Sequence, residues 1–263
     1  MKSVLIFFFA LTVAFAIEDR NARISGGEQA GTNDFPFTVG IMISGDDAHT
    51  FCAGVLVTPR FVLTTANCVI RQTMLTVLLG STDMTRVQQF LPVTHVRLHW
   101  NHSSTVINRA DLALLTLARE ATLGPTVAVA RLPSRSQVGN SFNGFGATLV
   151  GWGKTGQRED EAVPLQHLQV LRNPIISNFV CGLSHSFITD EHVCTSGDNG
   201  SPCEGDEGGP VMITEGGEFT VIAIHSFHFS GIRGCDRGRS AVHTRLTEHL
   251  NWLVEHTGVE IRP

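Results

Sequence analysis

The chain has 263 residues, 42% of them hydrophobic and 16% charged, which excludes a disordered tail and supplies enough apolar material for a large core. Nineteen Lys and Arg stand against 24 Asp and Glu, a formal charge of -5 with neutral histidines. No basic excess is left to grip a polyanionic backbone, so nucleic acid is not an expected partner.

At the N-terminus Lys2 precedes an apolar run from Val4 to Phe15, closed by the small-x-small pattern Ala14-Phe15-Ala16. That pattern predicts a signal peptide over 1–16 and a secreted, extracellular protein. The run is shorter than the ~20 residues of a spanning helix, and no other segment is long and apolar enough, so no membrane anchor is expected. Residues 17–23 then read as a short propeptide. Export puts the six cysteines in an oxidising compartment, where an even count points to three disulfides among ~15 possible pairings.

Twenty-six glycines punctuate the chain, and between them run short segments rich in Val, Leu, Ile, Thr and Phe, such as Phe37 to Ser44, Ala53 to Thr58, Leu75 to Leu79 and Phe219 to His225. Their length and β-branched content predict strands, and many short strands predict an all-β sandwich or barrel. Residues 121–138 lack sustained periodicity and carry Gly124, Pro125 and Pro133, which marks a crossing between two halves. Leu246, Leu250, Leu253 and Val254 recur at helical spacing and predict a C-terminal helix with Thr247 and Glu248 in its first turn.

Three stretches carry more specific information: Leu63-Thr64-Thr65-Ala66-Asn67-Cys68, Asp111-Leu112-Ala113-Leu114-Leu115, and Cys203-Glu204-Gly205-Asp206-Glu207-Gly208-Gly209-Pro210. With Arg23-Ile24-Ser25-Gly26-Gly27 and Gly151-Trp152-Gly153, they resemble the chymotrypsin-like serine proteases in order and spacing. The resemblance spans a domain over 24–256, with 257–263 as a C-terminal tail. It implies two packed six-stranded antiparallel β-barrels with a cleft between them, and the disulfides Cys52–Cys68, Cys181–Cys194 and Cys203–Cys235.

The family's chemistry needs a serine nucleophile, a histidine base and an orienting aspartate. Matched residue by residue, the aspartate is Asp111, but Asn67 stands at the histidine position and Glu207 at the serine position. A carboxamide has no titratable nitrogen and cannot shuttle a proton. A carboxylate is a weak nucleophile, and its attack on an amide would give a mixed anhydride. The oxyanion hole would use the backbone N–H groups of Gly205 and Glu207, and the Glu207 side chain is expected either to fill it or to repel an oxyanion from it.

Asp111 and Glu207 could in principle face one another as an acid pair, but Asn67 reads more simply as an amide donor to one carboxylate. His225 and His228, or His95 and His99, have tolerable ligand spacing. In a chain with 12 histidines such pairs arise by chance, so neither a metal nor a cofactor is expected.

The resemblance further implies cleavage after Arg23 by a trypsin-like protease, with the freed Ile24 amine pairing with Asp206. It places the specificity pocket at Ser201, Ser226, Phe227 and His228. A neutral Ser201 floor suits an apolar side chain, and His228 in place of a glycine narrows the entrance. Asn101-His102-Ser103 is a glycosylation sequon, and Arg158 to Glu161 a charged loop. Together these features predict a catalytically inactive serine-protease homologue, of the kind familiar in arthropod haemolymph and saliva. Such a protein would act by binding another protein, as cofactor, decoy or regulator of a proteolytic cascade. A hydrolase with residual or altered activity is the alternative.

Overall fold

In the first half of the chain, strands with alternating faces roll into one closed barrel. The computed structural model describes residues 27–44, 49–103, 109–154, 164–228, 230–231, 234–235 and 238–263. The expected signal peptide, the propeptide with Arg23 and Ile24, and the charged loop 158–161 lie outside them. After the short β1 (Glu28–Gln29), the first barrel is built from β2 (Thr38–Ser44), β3 (His49–Thr58), β4 (Phe61–Thr64), β5 (Met74–Leu79), β6 (Gln89–Leu98) and β7 (Ala113–Leu117). It closes in the order β2-β3-β4-β7-β6-β5, and every pairing is antiparallel. A one-turn helix, α1 (Ala66–Val69), follows β4.

Residues 118–145 cross to the second barrel, which includes β8 (Gly146–Gly151), β9 (Gln169–Ile176), a short helix α2 (Asn178–Gly182), β10 (His192–Thr195), β11 (Pro210–Glu215) and β12 (Glu218–Phe227). A two-stranded ribbon, β13 (Ser230–Gly231) and β14 (Gly234–Cys235), precedes β15 (Ala241–Arg245). The ring β9-β10-β15-β12-β11-β8 closes through β8–β9 pairing, and β1 adds to β9. The expected pair of six-stranded barrels is the fold observed.

Because side chains alternate across a strand, one face of a barrel strand fills its barrel and the other meets the neighbouring barrel or, as along β6, solvent. Val39, Ile41, Val62, Val77, Leu91 and Leu115 fill the first barrel. Leu149, Leu171, Val193, Val211, Ile213 and Ile222 fill the second. Residues of opposite parity, among them Leu63, Leu112, Leu114, Val150, Met212 and Val221, form the seam between barrels with Phe51 and Trp152. Strands buried on both faces explain runs such as Leu112-Ala113-Leu114-Leu115, in which no polar residue alternates.

The C-terminal helix begins as a 3-10 turn, Leu246–His249, and continues as α3 (Leu250–Thr257). Leu246, Leu250 and Leu253 are buried as the spacing predicts, and Trp252 joins them. Gly258 ends α3 at φ 70°, a left-handed cap that suits glycine. The tail beyond it docks on the barrels: Val259 and Ile261 pack on the seam, and the Arg135 N–H donates to the Arg262 carbonyl at 2.9 Å.

All three expected disulfides are present: Cys52–Cys68, Cys181–Cys194 and Cys203–Cys235. The first ties α1 to β3 across the mouth of the cleft.

Candidate active site

Asn67 sits in the single turn of α1, whose neighbour Cys68 is bonded to β3. Asp111 enters from the start of β7 after a turn in which Ala110 adopts φ 44°, a left-handed conformation uncommon for a residue with a side chain. The Asp111 carboxylate is fully buried. Its Oδ1 accepts the Asn67 backbone N–H at 2.9 Å, and its Oδ2 accepts both Asn67 Nδ2 at 3.0 Å and Ser226 Oγ at 2.7 Å. Burial raises the Asp111 pKa, and the donors from Ser226 and Asn67 work against that rise.

Asn67 is therefore an amide donor to one carboxylate, as its residue type predicts. Ser226, assigned to the specificity pocket from sequence, spends its hydroxyl on Asp111.

Glu207 projects from a tight loop between Cys203 and β11. Its carbonyl accepts the Ala53 N–H at 2.8 Å, which fixes the loop to the first barrel. The next residue, Gly208, has φ 85°, and a Cβ there would strike the Ala53 carbonyl and Thr64 Oγ1, so only glycine fits. The Glu207 side chain turns back on its own loop, and Oε2 accepts the Gly205 N–H at 2.8 Å. The carboxylate thus takes one of the two amides expected to form the oxyanion hole. Burial raises its pKa to about 7 against the pull of backbone N–H groups, with the nearby acids Asp206 and Glu204 adding to the rise. A quarter of the side chain remains exposed, toward the cleft.

The cleft itself has a volume of about 500 Å³ and is lined by Asn67, Glu207, Gly205, Phe51 and the Lys154–Glu204 ion pair at 2.7 Å. Asp206 points the other way, into the body of the second barrel. It accepts the Gly153 N–H at 2.7 Å and the Cys203 N–H at 2.8 Å, and complete burial raises its pKa to about 7. Gly151 and Gly153 wall this niche, since a Cβ on either would overlap the carboxyl group. The amine implied as its partner, on Ile24, lies outside the described residues.

Of the pocket residues, Ser201 is buried, and Phe227 packs on His185 and Phe187 with centroids 5.4 and 5.3 Å away. His228 lies between the pocket and Glu207, its Nδ1 3.6 Å from Glu207 Oε1. Sequence reasoning missed what stands behind it. His228 Nδ1 is 3.4 Å from His225 Nε2, His225 Nδ1 is 3.2 Å from His243 Nδ1, and His243 Nε2 is 2.9 Å from Thr195 Oγ1. Burial keeps all three imidazoles neutral, lowering His228 to about 4 and His243 to about 3, and His225 well below its ordinary value. The spacing of His225 and His228 was visible as a signal, whereas His243 arrives from a distant strand without one. Asn101 lies half-buried in the turn after β6, its N–H donated to His99 Nδ1 at 3.2 Å.

Two barrels stapled by disulfides, with a cleft holding an aspartate, an oxyanion-type loop and a buried acid behind it, have the architecture of serine proteases. The family model for trypsin matches residues 24–253, and the chain belongs to that family. It is 31% identical to chymotrypsin-like elastase family member 1 of Homo sapiens over 90% of this chain and 93% of that protein. It is also 31% identical to a chymotrypsin of Phaedon cochleariae, over 91% and 84% of the two chains, and 29% identical to a collagenase of Hypoderma lineatum, over 98% and 99%. A solved structure of HL collagenase superposes with a TM-score of 0.80 at 26% identity, covering 90% of this chain and all of that one.

Proposed function

We propose that this chain is a secreted, catalytically inactive member of the trypsin family. It works by binding another protein, as cofactor, decoy or regulator of an extracellular proteolytic cascade, in the manner of the homologues familiar from arthropod haemolymph. The observation that carries this reading is the Glu207 carboxylate seated on the Gly205 N–H, in the position of a serine nucleophile and on the donor that would stabilise an oxyanion. Asn67 supports it from the other side of the cleft, since a carboxamide bonded to Asp111 offers no basic nitrogen to take a proton near neutral pH. Loss of the nucleophile alone costs such sites on the order of 10⁶ in turnover.

Cleavage after Arg23 by a trypsin-like protease, followed by pairing of the Ile24 amine with Asp206, gives this binder two conformational states without chemistry. The niche between Gly151 and Gly153 supports that part of the reading, because its buried carboxyl has no cation beside it among the described residues. A glycan on Asn101 belongs to the same secreted reading.

The relatives named for elastase, chymotrypsin and collagenase activity favour the alternative, a hydrolase with residual or altered action on peptides. One comparison separates the two. The protein cleaved after Arg23 is tested with apolar and basic ester substrates and with an active-site fluorophosphonate, beside the double variant Asn67→His/Glu207→Ser. The proposal expects no labelling and no turnover in the natural chain, and turnover with stoichiometric labelling in the double variant. Stoichiometric labelling of the natural chain would overturn it.

A further inference from the structure

We infer that Glu207, His225 and His228 form a binding site for a divalent cation of zinc's class, with its open side toward the cleft. One ligand atom from each of the three residues lies within 4.8 Å of the other two. Zinc holds nitrogen and oxygen ligands at ~2.0–2.1 Å in a tetrahedron, which puts neighbouring ligand atoms about 3.3–3.4 Å apart. His225 Nε2 and His228 Nδ1 are 3.4 Å apart, and His228 Nδ1 and Glu207 Oε1 are 3.6 Å apart. Those separations are longer than the ~2.7–3.2 Å of well-made hydrogen bonds to nitrogen, and they suit ligands grouped around an ion.

Two of the three ligands, His225 and Glu207, are oriented by partners on their far side. His225 Nδ1 meets His243 Nδ1 at 3.2 Å, and His243 Nε2 meets Thr195 Oγ1 at 2.9 Å. In the tautomer where His243 Nε2–H donates to Thr195 and His225 Nδ1–H donates to His243, the lone pair of His225 Nε2 faces the site. Glu207 Oε2 is held by the Gly205 N–H, which leaves Oε1 to point inward. Supporting partners of this kind fix ring orientation in metal centres.

Two imidazoles and one carboxylate form a mixed N/O set that favours Zn²⁺, with Cu²⁺ and Ni²⁺ as competitors, over the all-oxygen preferences of Mg²⁺ and Ca²⁺. The fourth position opens where Glu207 meets the cleft, so water or a carboxylate or imidazole of a bound protein can complete the shell. A second cluster, Cys203, His228 and Cys235, offers no such site, because its two sulfurs are bonded to each other. The inference departs from the expectation from sequence that no metal binds. The inference stands whether or not the cleft hydrolyses peptides, since it concerns only these ligand atoms.

The test uses the full purified protein, stripped by dialysis against a chelator and then titrated with Zn²⁺ by calorimetry and with Co²⁺ by visible absorption. One equivalent of each is expected, Co²⁺ giving the intense bands of a tetrahedral site. His228→Ala and Glu207→Gln are each expected to weaken binding at least about tenfold, while His95→Ala and His102→Ala leave it unchanged. His228 and Glu207 border the cleft, and thermal melts establish that both variants are folded; Glu207→Gln, being isosteric, serves if His228→Ala fails to fold. Absence of Zn²⁺ binding by the folded natural chain, or binding indifferent to both ligand substitutions, overturns the proposal. Fluorophosphonate labelling bears on the functional reading alone, so the two can fail separately.

Discussion

Asn67 reaches Asp111 twice, through its backbone N–H to Oδ1 at 2.9 Å and through Nδ2 to Oδ2 at 3.0 Å. A histidine at the same place would hold Asp111 with one ring nitrogen and keep the other for the cleft. The carboxamide instead donates to the buried carboxylate and makes a structural tie. Ser226 completes that tie from the second barrel, so Asp111 joins the two halves of the molecule at their seam.

The energetic consequence is measurable. Ser226→Ala removes a charge-assisted bond from a fully buried carboxylate and is expected to destabilise the fold by roughly 1.5–3 kcal/mol, and Asn67→Ala by about 1–2 kcal/mol, since the backbone donor survives. Both donors bond Oδ2, so the double variant should depart from additivity. Urea unfolding of the four proteins reads these values directly; a stability indifferent to Ser226→Ala would show that the bond contributes nothing.

Glycines around the Asp206–Glu207 loop give a second prediction. The Asp206 carboxyl is held from two sides by the N–H groups of Gly153 and Cys203, so it cannot swing away from a methyl group placed on Gly153. Gly153→Ala is expected to cost about 3 kcal/mol or more, at the upper end for overpacking. Gly208→Ala, which meets a carbonyl at φ 85°, should cost at least as much. Gly216→Ala has open space around it and only its φ of 58° to resist, for roughly 1 kcal/mol. Melting temperatures ranked in any other order would contradict these contacts.

The barrels were legible in the sequence because short β-branched runs between glycines report strands, and Asn67, Asp111 and Glu207 were legible because flanking motifs fix their register. The runs could not say which parity faces which barrel, since strands such as β7 are apolar on both sides. What the Glu207 side chain does was open between filling and repelling. The answer depends on a loop turn that brings Oε2 to the Gly205 N–H, and no residue pattern encodes that turn. His243 was invisible for a different reason: it meets His225 only through β12–β15 register, where the two are direct cross-strand neighbours. The expected first helical turn at Thr247 and Glu248 closes as a 3-10 turn instead, a distinction below the resolution of apolar spacing.

A pH dependence follows from His99, buried beside Trp252 and His249 with ring centroids 4.8 and 4.7 Å away. Its Nδ1 accepts the Asn101 N–H, which requires the neutral ring. Burial lowers its pKa to about 4, and His102 and His256 add to the fall; His249, facing His99 and His192, is lowered to about 3. The unfolded chain therefore binds more protons than the folded one below pH ~6.5, and stability is lost as pH drops from there toward 4. Between pH 8 and pH 5 the natural chain should lose roughly 2 kcal/mol more than His99→Phe, whose lost Asn101 bond is a constant offset. Parallel pH profiles for the two proteins would dismiss this account.

The last prediction concerns how Asn67 is held in place. A four-residue helix such as α1 has too few hydrogen bonds to persist alone, and its position rests on Cys68 bonded to Cys52 of β3 and on the Ile70 N–H donated to the Ala66 carbonyl at 2.8 Å. The bridge closes a loop with a sequence separation of 16 residues, for which chain entropy gives about 3 kcal/mol. Cys52→Ala/Cys68→Ala should lower stability by about that amount and leave the fold intact, because β3 and β4 remain in the barrel. If the bridge also sets the angle at which Asn67 meets Asp111, Asn67→Ala costs less in the bridge-free protein than in the natural one. A coupling energy of 0.5 kcal/mol or more, on the order seen for residues sharing a contact, is the expected reading of the double-mutant cycle. Equal costs in both backgrounds would mean that the Asp111 carboxylate alone positions this turn.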